Sequence, residues 1–310
     1  MAIGAVTWAA LALGALAGAA PVLREAARPR IDRARDNAPG DFAMLPRGRT
    51  HYRWHGPEGR SEVGPVTVCV HGLTTPSFVW EGLVPGLVAE GRRVLTYDLY
   101  GRGYSDRPGG AQDAGFFVGQ LEELLAGQAV EEPVTLIGYS MGGAIVTAFA
   151  ARHPDRLREL VLIAPAGLGH DLGPVARLVA RGGAAGRWLM LAAFPTSFRR
   201  GCEAERALPA TVPGIVDRQQ AELRWRGFIP AVARSVAGML TQDQGAAHAA
   251  LARRGVPVRA IWGAEDTVIP LSRQARLAEI NPDADQHVIE GAGHGLTYTH
   301  TDRVLAAITE

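Results

Sequence analysis

Val134-Thr135-Leu136-Ile137 runs directly into Gly138-Tyr139-Ser140-Met141-Gly142, and Gly143-Ala144-Ile145-Val146 follows. The first four residues read as a strand, the next five as a sharp turn, and the last four as the opening of a helix. A serine at the crest of such a turn is a nucleophile elbow. The tight backbone lifts its hydroxyl clear of the sheet, while glycines two residues to either side let strand and helix approach closely. The bare G-x-S-x-G pattern would be weak in a chain with 38 glycines. A serine that only caps a helix would explain the hydroxyl, but not the strand ahead of it or the paired glycines.

Outward from the elbow, short apolar runs alternate with amphipathic helical patterns, the arrangement of βαβ units and a parallel sheet. Strands are expected at Val66 to Val70, Arg93 to Tyr97, Val134 to Ile137, Leu160 to Ile163, Val258 to Ile261 and Gln286 to Ile289, each apolar for most of its length as a strand covered on both faces must be. Ala43 to Leu45 and Thr50 to His55, joined by Pro46-Arg47-Gly48, predict an antiparallel hairpin at one edge. Helices are expected at Trp80 to Glu90, Phe116 to Gly127, Ser140 to Arg152, Ser272 to Glu279 and Thr301 to Ile308. From about 167 to 254 the strand pattern stops, and helical stretches broken by Gly and Pro predict a helical insertion covering one face of the sheet.

A serine hydroxyl is a poor nucleophile at neutral pH unless an imidazole takes its proton. His294, in Gly291-Ala292-Gly293-His294-Gly295 after the last expected strand, is placed to do so. The imidazole in turn needs a carboxylate between serine and histidine in the chain. Asp266, in Gly263-Ala264-Glu265-Asp266-Thr267, follows the strand Val258 to Ile261 and fits that order, with Glu265 and Asp171 as rivals. An anionic tetrahedral intermediate needs two backbone N–H donors. Met141 supplies one, and Leu73, in His71-Gly72-Leu73 after the strand Val66 to Val70, is expected to supply the other. His71 and Asp98, which also end strands, read as residues that shape their loops.

The composition narrows the substrate. Lys+Arg 32 against Asp+Glu 31 leaves a net charge of +1, which recommends neither nucleic acid nor a strongly acidic substrate, and a small neutral or amphiphilic ligand fits better. The two cysteines, Cys69 and Cys202, lie in no metal-ligand or paired spacing, so neither a metal nor a disulfide framework is expected, and the chemistry asks for no cofactor. Residues 1–23 carry no charged side chain, and 24–40 are rich in arginine with Pro29 and Pro39. This predicts an apolar anchor or signal segment, a solvated linker, and a folded domain over 41–310. Arginines on the far side of the apolar stretch favour an uncleaved membrane anchor with a cytoplasmic domain, and Ala17-Gly18-Ala19 keeps export after signal cleavage as the alternative.

Together, His71-Gly72, the loop Asp98 to Asp106, Gly138 to Gly142, Gly263 to Pro270 and Gly293-His294 resemble the α/β-hydrolase superfamily over nearly everything after residue 40. That resemblance implies an α/β-hydrolase fold: a mostly parallel central sheet, helices on both faces and a helical cap insertion above Ser140. Gly-Tyr-Ser-Met-Gly-Gly looks like the elbow of monoacylglycerol lipases, lysophospholipases and small carboxylesterases, so the expected activity is hydrolysis of a small-molecule acyl ester, including a lipid ester, through an acyl-enzyme on Ser140. Serine at the nucleophile position argues against dehalogenases and epoxide hydrolases, which carry aspartate there. The same triad serves proline iminopeptidases, carbon–carbon bond hydrolases and cofactor-free haloperoxidases, so these stay open, as does a non-catalytic binding protein. Leu189, Leu191, Phe194, Phe198, Trp225, Phe228, Ile229, Met239 and Leu240 are the cap residues available for core or acyl pocket, and Glu203, Glu205 and Glu222 could hold a substrate amine.

Overall fold

The structure, a computed structural model, describes residue 8 and residues 18–56, 64–169 and 173–310. β1 (Asp41–Leu45) and β2 (Gly48–His55) form the edge hairpin. β3 (Val66–Val70), β4 (Arg93–Tyr97), β5 (Val134–Tyr139), β6 (Leu157–Ile163), β7 (Val258–Gly263) and β8 (Asp285–Ile289) complete an eight-stranded sheet in the order β1-β2-β4-β3-β5-β6-β7-β8. β2 pairs antiparallel to both of its neighbours, and every pairing from β4 to β8 is parallel.

Every residue of β3 and β5 is buried, because helices cover both faces. Val68, Val70 and Leu136 point into one core with residues of α3 (Ala114–Gly127) and α4 (Met141–Arg152). Their neighbours Cys69 and Ile137 point into the other, with α2 (Val84–Ala89) and α12 (Thr301–Thr309). Cys69 is a packing atom here, and burial pushes its thiol far above the ordinary range. The chain adds β4 on one side of β3 and β5 on the other, so the crevice at the carboxyl ends of β3 and β5 is a topological switch point.

Between β6 and β7 run α5 (Gly173–Ala180), α6 (Gly183–Ala204), α7 (Ile215–Ala221), α8 (Phe228–Ala237) and α9 (Gly245–Arg253). α9 packs against α4 and α10 (Ser272–Ile280), while α5, α6 and α8 pack on one another as the cap. Phe194 and Phe198 of α6 stack at 5.2 Å between ring centroids, and Phe228 of α8 closes the cluster at 6.2 Å from Phe198. α6 is 22 residues long although Pro195 lies inside it, and Gly182 and Gly183, both at positive φ, form its entry. Packing by these rings holds a helix that Pro and Gly would break in isolation.

The amino-terminal expectation is corrected. Among the described residues no helix is long and apolar enough to cross a membrane, which overturns the anchor and the cytoplasmic placement inferred from it. Residues 1–7 and 9–17, on which much of that expectation rests, lie outside the described residues. Residues 18–27 form a helix, α1, whose Arg24 and Glu25 interrupt the apolar run, and Trp188 of the cap donates to the Gly18 carbonyl at 2.6 Å. Nor are residues 24–40, expected as a linker, merely solvated. Glu25 accepts from the Gly227 amide at 2.6 Å, Ile31 is buried, and buried Arg35 donates to the Tyr104 carbonyl at 3.0 Å and pairs with Asp106 at 2.5 Å. The charges that suggested a linker are spent on partners up to 202 residues away, invisible to local pattern.

Candidate active site

Ser140 follows β5 with φ 54° and ψ −119°, a backbone region that costs a residue with a Cβ about 1–3 kcal/mol. Three bonds hold it there. Its amide donates to the Ile163 carbonyl, and its carbonyl accepts from the Gly143 and Ala166 amides, all at 2.9 Å. The glycines are sterically required: a Cβ on Gly142 would lie 2.0 Å from the Val70 carbonyl oxygen, and one on Gly138 2.4 Å from Val146 Cγ2.

The loop after β8 brings His294 to this hydroxyl. Nε2 lies 3.0 Å from Ser140 Oγ, and Nδ1 lies 2.7 Å from Asp266 Oδ2, on the loop after β7. A carboxylate can only accept, so Nδ1 carries the proton and Nε2 is free to receive one from Ser140. Asp266 is fixed in turn, its Oδ1 accepting from the amides of Val268 at 2.7 Å and Ile269 at 2.8 Å. The three residues read from sequence are thus brought together, while the rival Glu265 is exposed and Asp171 lies outside the described residues. One contact was not legible from pattern: the Tyr139 hydroxyl donates to the His294 carbonyl at 2.8 Å, across 155 residues.

The two expected oxyanion donors belong to the segments next to Ser140. Met141 opens α4 directly after Ser140, and the Gly72-Leu73 turn lies so close that a Cβ on Gly72 would stand 3.2 Å from Ser140 Cβ. Among the described residues neither the Leu73 nor the Met141 amide donates to a protein acceptor. His71 holds the turn: it receives the Leu99 amide on Nε2 at 2.9 Å, so Nδ1 carries the proton and donates to the Gly72 carbonyl at 2.8 Å. That carbonyl belongs to the same peptide as the Leu73 N–H, and a bond accepted at one end polarises the donor at the other.

Burial pushes the His71 imidazole down to about 4, against weaker upward pulls from Asp98 and the Gly72 carbonyl. The folded protein therefore keeps His71 neutral, while the unfolded chain protonates it below about 6.5. The sign follows: stability from this group is complete above the unfolded value and is lost as pH falls towards 4, by up to about 3 kcal/mol. Denaturant titrations of the wild type and His71→Asn between pH 7 and pH 4 are expected to show the wild type losing stability more steeply. Parallel curves would remove His71 as the cause. Asp98 is structural, as its loop suggested: it accepts from the Ser77 amide at 2.9 Å and the Tyr104 amide at 2.9 Å and pairs with His51 at 2.8 Å. Burial alone would raise its carboxyl, but the His51 bond and charge hold it well below the usual range.

Ser140 and His294 stand in a cavity of about 450 Å³ lined by Leu73, Thr74, Thr75, Ala166, Ala176, Val236, Leu240 and Val268 among others. Neither an arginine nor a carboxylate lines it among the described residues. Of the cap residues named from sequence, Leu240 reaches this cavity, whereas Leu191 and Ile229 line a separate apolar groove beside α1, and Phe194, Phe198 and Phe228 pack together in the cap. Glu203 pairs with Arg206, Glu205 accepts from the Tyr298 hydroxyl, and Glu222 accepts from the Gly103 amide, so none of the three faces Ser140.

Comparison with known proteins agrees with this geometry. Residues 65–301 match the family model described as alpha/beta hydrolase fold. The chain is 32% identical over 261 residues to a 2-hydroxymuconate semialdehyde hydrolase of Pseudomonas sp. strain CF600, covering 80% of this chain and 87% of that protein. It is 28% identical over 250 residues to a pimeloyl-[acyl-carrier protein] methyl ester esterase of Aeromonas hydrophila, covering 79% and 94%. In fold it is similar to the enol-lactonase of Burkholderia xenovorans LB400, with a TM-score of 0.69 at 23% identity over 86% of this chain and 98% of that one. An elbow serine, a histidine after β8, an acid after β7 and a matching family model over most of the length lead to one conclusion: the chain belongs to the alpha/beta-hydrolase fold family.

Proposed function

We propose that this hydrolase cleaves a carboxylic ester with a neutral, apolar acyl part, through an acyl-enzyme on Ser140. One observation carries the reading: the Ser140–His294–Asp266 relay, at 3.0 Å and 2.7 Å, opens into a cavity walled by aliphatic and threonine side chains with no arginine or carboxylate among the described residues. Ser140 Oγ attacks the ester carbonyl carbon as its proton passes to His294 Nε2, and the Leu73 and Met141 amides receive the carbonyl oxygen as it becomes anionic. Collapse expels the alcohol with the proton from His294. Water, deprotonated by the same nitrogen, then attacks the acyl carbon and frees the acid and Ser140. Asp266 holds the proton on Nδ1 throughout and stabilises the imidazolium.

A second reading, hydrolysis of a carbon–carbon bond by the same three residues, is favoured by one finding: the relative at 32% identity is named a 2-hydroxymuconate semialdehyde hydrolase. A muconate is an anion, and a desolvated anion needs a cationic or multiply donating partner. Among the described residues the cavity's lining offers no such cation, which favours the ester. Amide cleavage at a substrate amine loses its basis, since Glu203, Glu205 and Glu222 are engaged elsewhere.

The deciding experiment compares kcat/KM for p-nitrophenyl butyrate, p-nitrophenyl hemisuccinate and 2-hydroxymuconate semialdehyde. The neutral ester is expected to lead the hemisuccinate by about tenfold or more, the scale of burying one unpaired charge at a partly open site. Faster turnover of the semialdehyde than of either ester would replace this reading with the second one.

A further inference from the structure

Arg102 is a fully buried arginine with no carboxylate within ion-pair distance among the described residues. A guanidinium in that position is costly unless neutral acceptors satisfy it, and four groups do so. Nε donates to the Leu73 carbonyl at 2.9 Å, Nη1 to the Tyr100 carbonyl at 3.0 Å and to Gln112 Oε1 at 2.9 Å, and Nη2 to Ser235 Oγ at 2.8 Å. Ser235 also donates to Gln112 Oε1 at 2.6 Å, closing the ring of bonds. Burial pushes the guanidinium down to about 9, which still leaves it protonated at neutral pH.

The partners of this side chain belong to different parts of the molecule. Leu73 carries the oxyanion amide, Tyr100 and Gln112 belong to the body, and Ser235 is a buried residue of cap helix α8. Val236, next to Ser235, lines the cavity above Ser140. Both peptides flanking Leu73 are consequently pinned, the preceding one by His71 on the Gly72 carbonyl and the following one by Arg102 on the Leu73 carbonyl. A donor contributes most when fixed before charge develops, and a small error in its direction forfeits much of that gain.

We infer that Arg102 is a positioning residue that aims the Leu73 amide at the developing oxyanion and, through Ser235, makes that aim depend on the seating of the cap. It touches neither substrate nor Ser140. Its planar fork is what the role requires: a lysine keeps the charge but cannot reach acceptors on the oxyanion loop, the body and the cap at once. When an acyl group packs against Val236, the force on α8 is carried by one hydroxyl and one guanidinium to the oxyanion loop.

The inference rests on the Ser140 reading, so the test separates the two. Wild type, Ser235→Ala, Ser235→Thr and Arg102→Lys are titrated with an aliphatic trifluoromethyl ketone and with the matching methyl ketone. The first adds Ser140 Oγ to its carbonyl carbon, passes the serine proton to His294 and leaves a tetrahedral oxyanion, whereas the second binds as a neutral ketone. Ser235→Ala is expected to weaken the trifluoromethyl ketone by about three- to tenfold and Arg102→Lys by about ten- to a hundredfold, with the methyl ketone changed less than about twofold and Ser235→Thr close to wild type. Equal weakening of both ketones, or of neither, in Ser235→Ala would overturn the inference, and that variant retains the buried arginine if Arg102→Lys fails to fold. Failure of the wild type to react with a fluorophosphonate would instead overturn the Ser140 mechanism on which it stands.

Discussion

Ser140→Ala is expected to lower kcat for p-nitrophenyl butyrate by about 10⁵- to 10⁶-fold while leaving folding intact. The effect is large because the hydroxyl is the only atom that forms the proposed covalent intermediate, and removing any member of such a relay disables the whole unit. It is clean because the backbone at 140 is set by bonds to Ile163, Gly143 and Ala166, none of which uses the side chain. The cavity and the two amides persist, so the methyl ketone is expected to bind as before. Burst kinetics and fluorophosphonate labelling, lost together with turnover while the melting temperature stays within a few degrees, are the checks. Ester turnover that survived the substitution would dismantle the acyl-enzyme proposal.

Asp266→Asn ranks next, at about 10³- to 10⁴-fold in kcat at neutral pH, and the bonding of the carboxylate shows why so small a change should matter. Oδ1 accepts from two amides, Val268 and Ile269, and Oδ2 faces His294 Nδ1. An asparagine has one oxygen, and the two N–H donors on the Val268 side claim it. Its NH₂ is left facing His294, so Nδ1 must accept and the ring proton moves to Nε2. Nε2 then presents N–H to Ser140 and cannot receive its proton. Acylation rates by stopped flow, with fold and methyl-ketone affinity unchanged, test this. A loss below about tenfold would assign Asp266 an electrostatic rather than a tautomer-fixing part.

The parts of the site that local chemistry dictates were readable in the chain. The elbow announces itself because only glycine tolerates the approach of Gly142 to Val70 and of Gly138 to Val146. His294 and Asp266 follow because the carboxyl ends of parallel strands converge on one edge, and the strands were plain apolar runs. What could not be read depends on contacts between distant segments. Arg102 meets Ser235 across 133 residues, and Tyr139 meets His294 across 155; neither pairing leaves a spacing or a period. α8 was not distinguished within the expected helical insertion because its residues read as one more apolar stretch between Gly227 and Gly238, and the full length of α6 was hidden because Pro195 masks its continuity. The amino-terminal stretch misled for the opposite reason: its composition matches a membrane segment, whereas its described part is tied by long-range bonds to the cap and, through Arg35, to the body.

The position of β8 has a bearing on when the chain can first act. The hydroxyl and its base are 154 residues apart, and the base hangs from the loop that follows β8, the strand at the far edge of the sheet. Local elements zip early in folding, while pairings across such a span come late because loop closure must precede them. A partly folded chain with the β5 elbow formed but the far edge still open has a serine without a proton acceptor. Reactivity therefore requires β8 in place, so the appearance of hydrolase activity during refolding is expected to report that this strand has docked.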